Sequence, residues 1–292
     1  MSESKQQAQA SQAADHDLPA DLIVATAADG AQVKVALHGG HLCSWRTADG
    51  AEHLFLSALN TWRSDAAIRG GMPVIFPQFA GEGALPKHGF ARVREWTLLE
   101  SSVLADGAGM LRLGLSDDAE TRKLFPHAFA LELRLSFGGR TLHAELSVTN
   151  RGDQPFQFTC ALHTYLQAQV AQSAILGLQG HQYRDALDQR RIKVVDEAEL
   201  RISAEIDRVY FQVDQPLTLQ QPGHAIVVAQ GGFADAVVWN PWVGGSAAIA
   251  DLPADGYQHF VCIEAAAVAR PVALAAGDSW LGFQQLTVTG PV

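Results

Sequence analysis

Leu131-Glu132-Leu133-Arg134-Leu135-Ser136-Phe137-Gly138-Gly139, followed by Leu142-His143-Ala144-Glu145-Leu146-Ser147-Val148, alternates apolar and polar residues on both sides of a glycine pair. A period of two is the signature of a strand with one face in a core, because successive side chains point to opposite faces. Two such arms joined by Gly-Gly predict an antiparallel hairpin.

The same texture extends outward. Leu22–Ala25 and Gln32–Leu37 are β-type runs separated by Asp29-Gly30, a second hairpin signal. Further strands are expected over Phe156–Leu162, Gln215–Leu219, Ala225–Val228, Ala236–Trp239, His259–Glu264 and Leu281–Val288. Only Leu59–Ala67, Asp117–Leu124 and Asp196–Leu200 read as helix, all short. Many strands with few helices predict an all-β fold, a sandwich or a barrel. No linker and no repeat divides the chain, so residues 19–292 are expected to form one β-sandwich domain. Residues 1–18 are mostly Ser, Gln, Ala, Lys and Asp with one Leu, and they are expected to be a disordered tail.

Of the 292 residues 48% are hydrophobic and 18% charged, enough apolar material for a large core. The net charge of −10 argues against a general nucleic-acid binder or a protein held on anionic lipid, while leaving room for a local basic pocket. Cys43, Cys160 and Cys262 do not make a disulfide framework, so a reducing compartment fits. No apolar run is long enough to span a bilayer, and no signal-peptide pattern opens the chain. A cytoplasmic protein is expected.

The densest unusual stretch is Arg69-Gly70-Gly71-Met72-Pro73-Val74-Ile75-Phe76-Pro77-Gln78-Phe79, continuing through Leu85-Pro86-Lys87-His88-Gly89-Phe90-Ala91-Arg92. Glycines that admit a ligand to the main chain and prolines that limit disorder suit a binding loop; a plain loop with aromatic packing is the alternative. His163 closes the apolar run Cys160-Ala161-Leu162, either as a hydrogen-bonded structural residue or as a proton carrier. Glu264 ends Phe260-Val261-Cys262-Ile263 and, if buried, needs a partner or a shifted pKa; a salt-bridged strand end is the bland reading. His38-Gly39-Gly40-His41 has two imidazoles but no third ligand nearby, which is weak for a metal.

Taken in order, these blocks and Leu162-His163-Thr164-Tyr165, Asp207-Arg208-Val209-Tyr210, Val238-Trp239-Asn240-Pro241-Trp242 and Cys262-Ile263-Glu264 resemble the signature of glucose-6-phosphate 1-epimerases, the hexose-6-phosphate mutarotase branch of the aldose 1-epimerase family. The resemblance covers roughly Leu22 to Leu286. It implies a β-supersandwich of galactose mutarotase type, with the sugar on a concave sheet surface, no metal and no organic cofactor. It carries the catalytic acid onto His163 and the base onto Glu264. It places Arg69, Lys87, Arg92, Asp207 and Gln78 at substrate-binding positions, with His88 beside the sugar or the base. Two departures are visible: Lys87 where the family often has Gln, and Ala265-Ala266-Ala267 where Pro or Gly is frequent.

The implied chemistry is ring opening and closure, in which O1 loses a proton while the ring oxygen gains one. An ionised Glu264 and a His163 with a pKa near ~6.5 suit it. Asp207 would orient C1 and help keep His163 charged. Arg69, Lys87 and Arg92 suit a phosphate, whose oxygens an Arg fork engages bidentately. The expected partner is a hexose 6-phosphate, with no nucleic acid and no membrane, on a monomer or weak dimer. Two other readings share the residues: an epimerase of unphosphorylated aldohexoses, which needs no cation cluster, and a non-catalytic carbohydrate-binding module.

Overall fold

The structure is a computed structural model that describes Pro19 and residues 22–290. The tail expected over 1–18 lies outside them. Strands Phe129–Gly138 and Thr141–Asn150 pair antiparallel, with Leu131 opposite Val148, Leu133 opposite Leu146 and Leu135 opposite Ala144. All six are buried. Truncating such a core leucine to alanine costs about 2–5 kcal/mol. The hairpin sits inside a nine-stranded antiparallel sheet. Gly109–Ser116 and Thr97–Val103 extend it on one side. Ser279–Thr289, Ala225–Gly231, Leu217–Gln220, Ala174–Leu176 and Glu199–Leu200 extend it on the other.

A second, eight-stranded sheet runs Arg191–Val194, Gln182–Asp185, Ile206–Tyr210, Asp235–Asn240, Phe260–Leu274, Phe156–Leu162 and Val74–Ile75, with Tyr165–Gln167 also paired to Phe260–Leu274. A three-stranded sheet of Ile23–Thr26, Gln32–Ala36 and His41–Arg46 completes the β-structure, its first pair being the hairpin read from Asp29-Gly30. One apolar cluster joins the large sheets, bringing Leu133 and Leu146 together with Val238, Ile263, Ala265 and Cys160. The opposite face of the eight-stranded sheet is covered too, by a separate cluster of Ile75, Phe79, Ala161, Val209, Val237 and Ala266. Phe260–Leu274 is therefore buried without alternation from Phe260 to Val268, as in any strand with both faces covered.

The expected all-β sandwich is what forms. Helix appears over Ala119–Leu124, where Asp118 and Thr121 make a reciprocal capping box. It does not form over Leu59–Ala67. There the Asn60 side chain bonds the Arg69 amide and the Ser57 and Arg69 carbonyls, closing a loop, and Leu59 is exposed, so no apolar face exists. Asp196–Leu200 is not helical either, because Glu199–Leu200 pairs with Ala174–Leu176. A short helix that the pattern did not signal covers Trp242–Ala248. Among the described residues no helix is long and apolar enough to cross a membrane.

Candidate active site

Strand Phe156–Leu162 ends one residue before His163, and Tyr165–Gln167 resumes one residue after Thr164; both pieces pair with Phe260–Leu274. At the break the Thr164 amide bonds the Leu162 carbonyl and the Thr164 carbonyl accepts from the Ile263 amide. The Thr164 hydroxyl donates to buried Gln284 at 2.5 Å, fixing the kink to the sheet behind. The register is the same on both sides of the kink, Leu162 opposite Ala265 and Tyr165 opposite Cys262, so His163 stands opposite Glu264 on the neighbouring strand. His163 Nε2 lies 3.3 Å from Glu264 Oε1. Glu264 is 1% exposed and His163 8%. Glu264 Oε2 and His163 Nδ1 have no hydrogen-bond partner, leaving one acceptor and one ring nitrogen for a ligand. Tyr165 stacks on His163, with centroids 5.0 Å apart and planes at 15°, and Trp239 meets it edge-on.

Burial moves the pair in opposite directions. It pushes the His163 imidazolium down to about 3, with Arg92 and Arg69 adding repulsion. It raises the Glu264 carboxyl well above the usual range; the nearby Asp207 charge raises it further and Arg92 opposes both. The expectation of a histidine near its ordinary pKa is therefore corrected: burial favours the uncharged pair, because a dry environment penalises each charged form. Asp207 acts on Glu264 rather than holding His163 charged. It sits on strand Ile206–Tyr210 opposite Trp239, its own carboxyl raised by burial against the opposing pull of Lys87.

The Gly/Pro-rich segment adds the edge of this sheet. Val74 and Ile75 pair with Leu162 and Ala161, the His163 amide bonds the Pro73 carbonyl, and the Tyr165 amide bonds the Gly71 carbonyl. Gly71 is in the left-handed region (φ 59°), and a Cβ there would run into the Leu42 carbonyl and the His41 ring. The pairing sets Arg69 over Tyr165. Arg69 Nε lies 3.1 Å from Asp251 Oδ1 and its Nη1 3.2 Å from the Tyr165 hydroxyl. Burial works against that charge, but Tyr165 and Asp251 outweigh it and the net shift is upward.

The loop from Gln78 to Arg92 closes the other side. Gln78, expected at the substrate, has both amide hydrogens on loop carbonyls, Ala80 at 3.2 Å and Leu85 at 3.0 Å, while its Oε1 accepts from the Leu85 amide. It shapes the loop rather than offering donors to a ligand. His88 has a positive φ of 67°, costing about 1–3 kcal/mol in a non-glycine residue. The conformation is held by its amide donating to the Ala80 carbonyl and by the Ala80 amide donating to its Nδ1. With Nδ1 accepting, the ring proton sits on Nε2. The ring stands 5.4 Å from His163, edge to face. Burial, then His163 and the neighbouring cations, lowers the pKa of His88 and keeps it neutral. Arg92 donates to the Lys87 carbonyl at 2.9 Å. Among the described residues neither Arg92 nor Lys87 has a carboxylate in ion-pair range.

Two residues beside the site were not singled out in the sequence reading. Asp251 lies in a loop far along the chain from Arg69, with no local pattern to mark it. Cys262 was legible, because it precedes Glu264 by two residues on one strand and so shares its face. One ligating atom each from Cys262, His163 and Glu264 lies within 4.8 Å of the other two. At the other candidate, the His38 and His41 Nε2 atoms are bonded to the Ala66 and Gly70 carbonyls, and among the described residues neither belongs to a group of three metal-ligating side chains.

Comparison with known proteins fits this arrangement. The aldose 1-epimerase family model matches residues 21–287. An Escherichia coli protein named "Putative glucose-6-phosphate 1-epimerase" is 35% identical over 253 residues, covering 84% of this chain and 83% of the relative. One of the same name from Cenchrus ciliaris is 32% identical over 85% of this chain and 79% of the relative. The crystal structure of a Salmonella typhimurium protein described as a "putative mutarotase" superposes with a TM-score of 0.84 at 29% identity, covering 92% of this chain and 90% of that one. A galactose mutarotase related enzyme from Lactobacillus acidophilus shares the fold alone, with a TM-score of 0.74 at 15% identity and 93% and 98% coverage. The chain belongs to the aldose 1-epimerase family.

Proposed function

We propose that the protein interconverts the α and β anomers of hexose 6-phosphates, glucose 6-phosphate first among them. The observation that carries the reading is the buried contact between His163 and Glu264 beside two cations, Arg92 and Lys87, that no carboxylate neutralises among the described residues. Glu264 takes the O1 proton and His163 delivers one to the ring oxygen. The C1–O5 bond breaks as the C1=O1 bond forms. Rotation about C1–C2 presents the other carbonyl face, and the same protons return as the ring recloses. The uncharged and charged forms of the pair hold the same single proton, so a shift between them across 3.3 Å prepares the ionised base and protonated acid without exchange with solvent. Each positioned group contributes about 10²–10⁴-fold. His88 Nε2–H and Asp207 offer a donor and an acceptor to sugar hydroxyls, and Tyr165 and Trp239 supply apolar ring faces.

The names of the Escherichia coli and Cenchrus relatives support a phosphorylated substrate. One observation favours unphosphorylated hexoses instead: Arg69 is already paired with Asp251, which reduces the cationic field. Anomer-exchange NMR on glucose, galactose and mannose 6-phosphates, with the free sugars alongside, decides between them. Faster exchange of the phosphates at equal concentration supports the proposal. Equal acceleration of free and phosphorylated glucose sinks it.

A further inference from the structure

Cys262 has no part in the proton transfers above, yet its thiol lies in the innermost part of the site. It is free, fully buried and on the Glu264 face of strand Phe260–Leu274. Its register partner is Tyr165, while Ala265 on the same strand pairs with Leu162, so the His163 kink falls between these two rungs. That placement brings a sulfur, an imidazole nitrogen and a carboxylate oxygen within 4.8 Å of one another. Three buried donors converge on one point, and Glu264 Oε2 has no other partner.

We propose that Cys262, His163 and Glu264 form a binding site for Zn²⁺, and that the ion is an inhibitor of the exchange reaction rather than its cofactor. A thiolate, an imidazole and a carboxylate together suit a borderline-soft ion and do not suit Mg²⁺ or Ca²⁺, which take all-oxygen shells. Zinc bonds of about 2.3 Å to sulfur and about 2.0–2.1 Å to nitrogen and oxygen require donor atoms roughly 3.2–3.8 Å apart. His163 Nε2 and Glu264 Oε1 already stand 3.3 Å apart, and a separation of 4.8 Å must shorten by about 1–1.6 Å to meet this geometry. Binding places one Zn²⁺ on three protein ligands and releases the thiol proton and the proton held by the His163–Glu264 pair to solvent. The fourth position takes water. Both proton-transfer residues are then bound to metal, so exchange stops, and sugar and ion compete for the same site.

The test uses the full chain in a non-chelating buffer. Zn²⁺ should inhibit anomer exchange with one ion bound per chain by equilibrium dialysis, EDTA should restore the rate, and Mg²⁺ at the same concentration should do neither. Cys262→Ser and Cys262→Ala should exchange anomers near the native rate without metal. Both should need at least about tenfold more Zn²⁺ for half inhibition, since even loss of a group that only supports a ligand costs 10–100-fold in affinity. Co²⁺ should give a thiolate-to-metal absorption band in the near ultraviolet that Cys262→Ala abolishes. Ion count and band do not depend on which sugar the protein uses, so their failure is separable from failure of the substrate assignment. If the Cys262 variants do not fold, His163→Asn, which keeps the sulfur, should lose the stoichiometric ion. Native-like zinc sensitivity in folded Cys262 variants, a cobalt spectrum without the thiolate band, or no zinc bound at inhibiting concentrations would overturn the proposal.

Discussion

His163 and Glu264 face each other across neighbouring strands: Leu162 opposite Ala265 and Tyr165 opposite Cys262 keep one register through the strand break, which puts His163 opposite Glu264, with Nε2 3.3 Å from Oε1. Residues opposite each other in an antiparallel pair carry their side chains on one face of the sheet, close enough to touch. The contact is placed by backbone geometry, so shape-preserving changes should leave the fold intact while removing proton transfer. His163→Asn and Glu264→Gln should each slow anomer exchange at least about 100-fold with little change in thermal midpoint. A near-native rate in either variant would show that the residue is neither acid nor base.

The opposite pKa shifts of the pair define its pH dependence. His163 is pushed down to about 3 and Glu264 is raised, so the pair holds one proton across a wide interval around neutrality. With free glucose, kcat/KM should be level from pH 5 to 7, its acid limb lying below that range. With glucose 6-phosphate an inflection near pH ~6 should appear, from the second ionisation of the phosphate. Loss of half the free-glucose rate near pH 6.5 would mean that His163 titrates as an ordinary solvated histidine.

His53 provides a stability test away from the site. It is buried and pushed down to about 4 by desolvation and then by His224, against about 6.5 in an unfolded chain. Below pH 6.5 the unfolded chain takes up a proton that the folded protein refuses. The His53 contribution is therefore full above about pH 6.5 and is lost as pH falls toward 4, by up to about 1.4 kcal/mol per pH unit. His53→Gln removes this linkage and leaves every other titrating group in place. Its thermal midpoint should fall less steeply than the native one between pH 6.5 and 4. Parallel curves would mean that His53 is protonated in the folded state.

The sheets were legible in the sequence where side-chain period decides structure, as at Leu131–Val148. They were least legible where both faces are covered. Phe260–Leu274 reads as a strand only to Glu264, because Ala265–Ala267 lack alternation and a bulge follows before Val272. At the site, motif residues His163, Glu264 and Asp207 each sit on the eight-stranded sheet or at the end of one of its strands. Their protonation was not legible, because a pKa follows from burial and no local pattern records how dry a position becomes. The Arg69 partner was equally hidden: Asp251 approaches through tertiary packing alone. Gln78 shows the converse, a motif residue whose hydrogen bonds turn inward to its own loop.

The cations give the last and most discriminating test, because the structure separates residues that the sequence grouped. Arg69 has Asp251 at 3.1 Å and the Tyr165 hydroxyl at 3.2 Å, whereas Arg92 has one backbone carbonyl at 2.9 Å and its pKa is lowered to about 10 by burial. A half-buried guanidinium without a counter-ion gains most from an incoming phosphate, which supplies the missing charge. Truncating a charge-assisted hydrogen bond costs about 1.5–3 kcal/mol, or roughly ten- to a hundred-fold in affinity. Arg92→Ala should therefore raise KM for glucose 6-phosphate by that order and change the kinetics on free glucose far less. Arg69→Ala should act more broadly, because it also leaves Asp251 unpaired and removes a polar contact from Tyr165, the ring stacked on His163. Its kcat should fall on both sugars. Lys87→Gln, at an exposed position, should be mildest. Inorganic phosphate should compete with glucose 6-phosphate in the native protein and compete less well in Arg92→Ala. Measuring kcat and KM for both sugars in the three variants separates the roles. Equal losses on glucose and glucose 6-phosphate in Arg92→Ala would remove the phosphate assignment and leave the free aldohexose as substrate.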